Sequence, residues 1–138
     1  MAFALHQQLA TDTVDLGHFC LSKALLMQDA NYPWVILVPE RESVRELFEL
    51  HADDQKMLLH EMTTLSQAMC EAFQADKMNV ATLGNMVPQL HIHLIVRYMD
   101  DAAWPKPVWG AVAPKVYTKE LLAQRVDLLQ ELIARHRV

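Results

Sequence analysis

The spacing of apolar positions changes several times along the chain, and each change marks an element. WVILVPE, Trp34 to Glu40, is an unbroken apolar run of strand length bounded by prolines, which predicts a buried strand. QLHIHLIVRY, Gln89 to Tyr98, alternates instead. Leu90, Ile92, Leu94 and Val96 fall on one face of a strand, and Gln89, His91 and His93 on the other. HFCLSKALLMQ, from His18, is apolar enough for a strand, with helix as its rival, and KMNVATLGN, from Lys77, reads as a strand with Gly84 opening a turn. Helical spacing governs the segment from Ser43 to Gln74, where Leu58, Met62, Leu65, Met69 and Phe73 form one stripe and Asp53 is the expected N-cap. The methionines of that stripe are core fillers. The segment from Thr118 to Val138 repeats the pattern with Leu122, Val126, Leu129 and Ile133, capped by Thr118. AFALHQQLATD, from Ala2, predicts a helical turn or two ending near Asp12. DANYP, from Asp29, is a turn, and the proline-rich stretch from Asp100 to Pro114 is irregular. Strands and helices come in blocks, which favours an α+β fold with an antiparallel sheet.

Length and composition narrow this picture. The 138 residues favour one domain, long enough for a hydrophobic core without staples. A net charge of −5 gives no basic footprint and argues against nucleic-acid binding. It leaves room for a small phosphorylated ligand held by local donors. Cys20 and Cys70 stand far apart with no metal spacing, and read as reduced, mostly buried thiols. No segment approaches the ~20 apolar residues that span a bilayer, and the N-terminal residues lack a signal-peptide pattern. The expectation is a cytoplasmic protein with no membrane partner.

The polar face of Gln89, His91 and His93 needs a reason, because adjacent imidazoles are poor core filler. Same-face neighbours lie roughly 7 Å apart, close enough to converge on one ligand. Three explanations compete. A solvated sheet face would make the histidines incidental. A metal pair would need further ligands, and His18, His51 and His60 are distant donors with no spacing to recommend them. Nucleophilic catalysis would use one imidazole as nucleophile toward phosphorus, with a neighbour stabilising the phosphoryl charge.

GNMVPQLHIHLIVR, Gly84 to Arg97, resembles the signature of the histidine-triad (HIT) superfamily of nucleotide hydrolases and transferases: a glycine and an amide, a short gap, then three histidines alternating with apolar residues. Gly84 and Asn85 match the glycine–amide pair, and Gln89, His91 and His93 the three triad positions. WVILVP resembles the family's upstream strand, with Trp34 where a histidine is usual. The resemblance covers about residues 17–100. It implies a single HIT-like domain over 1–138, with a loop and helix over 101–138, an antiparallel sheet of about five strands, a long helix across it and a C-terminal helix. It also implies a homodimer acting on purine nucleotides and no cofactor or metal. By the same resemblance, His91 is the nucleophile toward the α-phosphate, His93 binds phosphate or assists the leaving group, and Gln89 supports a neighbouring imidazole. Asn85 and Asn79 are expected phosphate or ribose donors, and Asn31 and Gln28 lie where the family holds ribose. Two of the four usual imidazoles are replaced, by Gln89 and Trp34. A nucleotide-binding protein without turnover is therefore the alternative, and a small metalloprotein using His91 and His93 a weaker third.

Aromatic residues and charges complete the set. Trp104 reads either as a wall beside the ligand or as core, Trp109 as a core cap, and Trp34 as core packing or a site wall. Arg97 and Lys106 read as surface or interface charges, with phosphate contact as the alternative. His51, His60 and His136 read as solvated.

Overall fold

A computed structural model of the chain describes residues 2–137. Helix α1 (Gln7–Asp12) leads into strands β1 (Thr13–His18), β2 (Ser22–Met27) and β3 (Trp34–Pro39). Helix α2 (Ala52–Ala72), strands β4 (Lys77–Ala81) and β5 (Ile92–Arg97), and helix α3 (Lys119–His136) follow. The strands form one sheet in the order β1-β2-β3-β5-β4, and every pairing is antiparallel. The expected α+β class and five-stranded sheet are what is observed.

Alternation along the strands gives the sheet two different faces. Ala24, Leu26, Val35, Leu37, Ile92, Leu94 and Val96 form one, packed against Leu58, Leu65 and Met69 of α2 and Leu129, Leu132 and Ile133 of α3. The opposite face carries Leu25, Trp34, Ile36, Val38 and Ile95, covered by Tyr32, Ala103 and Val108 from loops. All six residues of β3 are buried, which is why its sequence shows no alternation. On the second face of β5 two polar residues flank Ile95: His93 stands opposite Ile36 in register, and Arg97 follows on the same side.

Several boundaries differ from the sequence reading, each for a local reason. The apolar run from His18 to Gln28 is not one strand, because it turns at Phe19–Leu21 between β1 and β2. β1 itself has no clean alternation: a bulge lies between Asp15 and Gly17, and Gly17 takes a φ of +102°, which glycine adopts at little cost. The long helix begins at Ala52 rather than near Ser43, and the preceding residues include only a single 3-10 turn, Leu47–Glu49. His51 is the N-cap, and Asp53 lies within the first turn beside Asp54, where acidic side chains favour the helix N-terminus. Thr118 does cap α3, accepting from Leu121 N at 3.2 Å. The strand expected from Gln89 joins the ladder only at Ile92. Before that, Leu90 N bonds to Val44 O and the Gln89 side chain bonds to residues 4 and 6.

Glu61 ties α2 to the β1–β2 turn. Its side chain is buried, and Oε2 accepts from Leu21 N at 2.8 Å. Burial pushes its carboxyl above the usual range despite bonds that favour the carboxylate. A raised pKa means that the folded state holds its proton more tightly than the unfolded state, so stability falls as pH rises through that interval. Glu61→Gln removes this titration and can still accept from Leu21 N. The variant gains stability relative to wild type as pH rises from 4.5 to 7.5, measured as the difference in Tm at the two values.

Candidate functional site

His91 and His93 meet on the second face of the sheet. Their ring centroids are 4.9 Å apart, and both residues are buried. Each ring has one nitrogen held by a partner, and the two partners have opposite character. His91 Nδ1 lies 2.7 Å from Gln89 O. A carbonyl only accepts, so Nδ1 carries the proton and Nε2 presents its lone pair. His93 Nδ1 lies 3.0 Å from Trp34 Nε1. Indole only donates, so Nδ1 is the acceptor and Nε2 carries the proton. One imidazole therefore offers a nucleophilic nitrogen, and its neighbour offers a donor.

Aromatic rings enclose His93. Trp34 lies 5.6 Å from it by ring centroids, and Trp109 lies 4.9 Å away, nearly perpendicular. Burial, with a smaller contribution from His91, pushes the His93 imidazole down to about 3. The ring is neutral at physiological pH, as an acceptor for the indole N–H must be. The unfolded chain protonates this histidine near ~6.5. Between the two values the unfolded state binds more protons, so stability falls as pH drops from about 6.5 toward about 3. His93→Gln keeps an oxygen acceptor for Trp34 and removes the titration. The loss of stability between pH 7 and pH 5 should shrink by about 2 kcal/mol in that variant, at ~1.4 kcal/mol per unit. Urea unfolding at the two pH values measures it.

A cleft of about 660 Å³ opens over the two imidazoles. His6, Asn85 and Trp109 line it as well. Asn85 is exposed and sits in the loop between β4 and β5, which Gly84 turns with a φ of +81°. A second cleft of about 640 Å³ lies beside it, lined by Gln28, Asp29, Trp34 and Trp109 among others. Trp109 and Trp34 thus stand between the imidazoles and the Gln28 side.

The remaining expected residues are placed elsewhere or engaged. Asn79 Oδ1 accepts from Arg97 Nη1 at 2.7 Å, and Asn79 lines neither cleft. Asn31 Nδ2 donates to Asp29 Oδ1 at 2.9 Å and to Ala113 O at 3.1 Å. Trp104 stacks against the Arg97 guanidinium, 5.6 Å from the ring centroid, away from His93. Arg97 is no surface charge: it is 1% exposed and ion-paired with Asp101. Lys106 contributes its carbonyl to Arg97. Gln89 turns its side chain away from the imidazoles toward the N-terminal segment. His51 and His60 are exposed, His136 is half-buried against the expectation, and His18 pairs with Glu40. The cysteines are less buried than expected, Cys20 being exposed and Cys70 half-buried. Among the described residues no group of three or more His, Cys, Asp or Glu side chains is arranged to hold a metal ion.

Two residues that line the cleft are missed or misjudged from sequence. Trp109 was expected as a core cap, yet it is 40% exposed and faces His93. Its proline-bounded setting gave no means of choosing it over Trp104. His6 had no signal at all, since 85 residues separate it from His91.

The HIT domain model matches residues 9–100, which is more than half of the chain. The chain belongs to the HIT family. The family is in general one of nucleotide-binding hydrolases and transferases. A histidine triad protein from Marinobacter aquaeolei VT8 is 52% identical, with 98% of each chain covered and a TM-score of 0.94. One from Bradyrhizobium japonicum is 43% identical, covering 96% of this chain and 99% of its own, also at 0.94. A hypothetical histidine triad nucleotide-binding protein from Sulfolobus tokodaii shares the fold at 16% identity, 89% and 85% coverage and a TM-score of 0.65. No curated protein matches the chain. No helix among the described residues of this HIT protein is long and apolar enough to cross a membrane.

Proposed function

We propose that this HIT protein hydrolyses or transfers at the α-phosphate of a purine nucleotide conjugate, of the dinucleoside polyphosphate or nucleoside phosphoramidate type. The observation that carries the reading is the opposite protonation of two adjacent rings. His91 Nε2 has a lone pair because Gln89 O holds the proton on Nδ1, and His93 has Nε2–H because Trp34 donates to its Nδ1. In this scheme His91 Nε2 attacks phosphorus, and the leaving group departs with the electrons of its bond. A basic leaving group takes its proton from water. The nucleotidyl-imidazolium that forms is stabilised by Gln89 O, and His93 Nε2–H donates to a phosphoryl oxygen. Water then displaces His91, and a nucleoside monophosphate and a proton are released.

Asn85 would donate to the phosphoryl group from the exposed lip of the cleft. The base would stack on Trp109, with Gln28 and Trp34 at the adjacent cleft. Asn31 drops out as a ligand donor because its amide N–H groups bond Asp29 and Ala113, and Asn79 because it lines neither cleft. The Sulfolobus relative, named as nucleotide-binding, fits the same reading. We assign the protein to the cytoplasm, where its free cysteines Cys20 and Cys70 stay reduced, and we expect a homodimer. Exposed Val80, on edge strand β4, supports the dimer.

Mass spectrometry of protein quenched in alkali after mixing with adenosine 5′-phosphoramidate tests the reaction. An increase by one adenylate supports it. Tight AMP binding with neither adduct nor turnover across dinucleoside polyphosphates and phosphoramidates would instead establish a binder. That second reading draws on Gln89, whose amide is committed elsewhere and carries no proton charge.

A further inference from the structure

A third imidazole stands on the wall of the His91–His93 cleft, and it comes from the start of the chain. His6 lines the cleft together with His91, His93 and Asn85, and its side chain is exposed. Its Nδ1 accepts from Gln8 N at 3.0 Å. An accepting Nδ1 carries no proton, so the neutral ring has its N–H at Nε2. Among the described residues no lysine or arginine lines this cleft. The donors this chain offers a phosphoryl group at the cleft are imidazoles, the amides of Gln8 and Asn85, the Trp109 indole and backbone N–H groups.

Gln89 fixes this segment with both ends of its amide. Oε1 accepts from His6 N at 2.8 Å, and Nε2 donates to Ala4 O at 2.9 Å. That is the pairing a neighbouring strand's backbone would offer. Phe3 and Leu5 anchor the same segment in the apolar cluster beside the site. The placement of His6 is thus specified by two hydrogen bonds and two apolar contacts.

We propose that His6 is a phosphate-binding residue of this site, donating Nε2–H to a phosphoryl oxygen, and that Gln89 is the positioning residue that brings it there. The inference rests on the nucleotide reading given above. Gln89 then serves the site twice: its carbonyl sets the tautomer of His91, and its side chain recruits an imidazole from outside the motif.

The test uses the full chain, with AMP and adenosine as probes in calorimetry. His6→Asn keeps a good capping oxygen for Gln8 N and removes Nε2–H. Expected is about a tenfold loss of AMP affinity, the scale of one charge-assisted hydrogen bond, with adenosine affinity unchanged. Gln89→Ala should cost AMP a similar factor, and the double variant no more than either alone. The ratio of AMP to adenosine affinity remains informative if a variant is less stable. If wild type binds AMP and takes up adenylate while His6→Asn binds AMP equally well, the inference is overturned and the nucleotide reading stands. Equal losses for AMP and adenosine would reduce His6 to packing and overturn it too. If wild type neither binds AMP nor takes up adenylate, both fall.

Discussion

His91→Gly is expected to abolish nucleotidylation and to lower kcat by at least about a thousandfold, the scale seen when an attacking side chain is removed. Three features set this expectation. His91 Nε2 is the unprotonated nitrogen of the pair, its Nδ1–H is fixed by a bond of 2.7 Å, and the ring forms part of an open cleft. His93 cannot substitute. Its Nδ1 lone pair is taken by Trp34, and its other nitrogen holds the proton. Truncating His91 leaves the sheet face intact and the phosphate donors in place, so AMP binding should survive within a few fold. Single-turnover assays with adenosine 5′-phosphoramidate, beside AMP calorimetry, separate the two quantities. Parallel loss of binding and turnover would mean that His91 holds the ligand rather than reacts with it.

Arg97→Met is expected to cost about 3–5 kcal/mol of stability, the range for breaking a buried ion pair from one side. The guanidinium bonds both oxygens of Asp101, at 2.7 and 3.0 Å, and also reaches Asn79 Oδ1 and Lys106 O. Tyr32 and Trp104 pack against it. Burial pushes the Asp101 carboxyl up, but Arg97 and the N–H groups of Tyr98, Ala103 and Trp104 outweigh that and hold it below its usual range. Removing Arg97 leaves that carboxylate buried without its cation. Urea unfolding at pH 7 measures the loss. A cost under about 1 kcal/mol would place Arg97 with ordinary surface pairs. The effect should also reach the site, because the segment pinned by Arg97 leads directly to Trp109.

Much of this architecture was legible because it follows from local periodicity. β3 announced itself as an apolar run between prolines, and α2 and α3 by their stripes. The alternation of QLHIHLIVRY by itself puts His91 and His93 on one face. What sequence could not supply was long-range: the side chain that meets each polar group. Trp34 reads as core by its neighbours, and it is buried, yet it also bonds His93 from the adjacent strand. Arg97 reads as a surface charge because charge usually is, and only the bonds from distant Asn79 and Lys106 make its burial tolerable. Asp53 was a good capping residue in the wrong register by two positions. Gln89 was recognisable as a departure from three histidines, but nothing near it in sequence pointed to residues 4 and 6.

The indole N–H on His93 has a practical corollary. Indole emission depends on the ring's surroundings, and Trp34 and Trp109 both lie against this neutral ring, with Trp109 on the wall of the cleft. The protein therefore carries its own optical probe at the centre of the cleft. Its intrinsic fluorescence should follow occupancy of the site in real time, without a label.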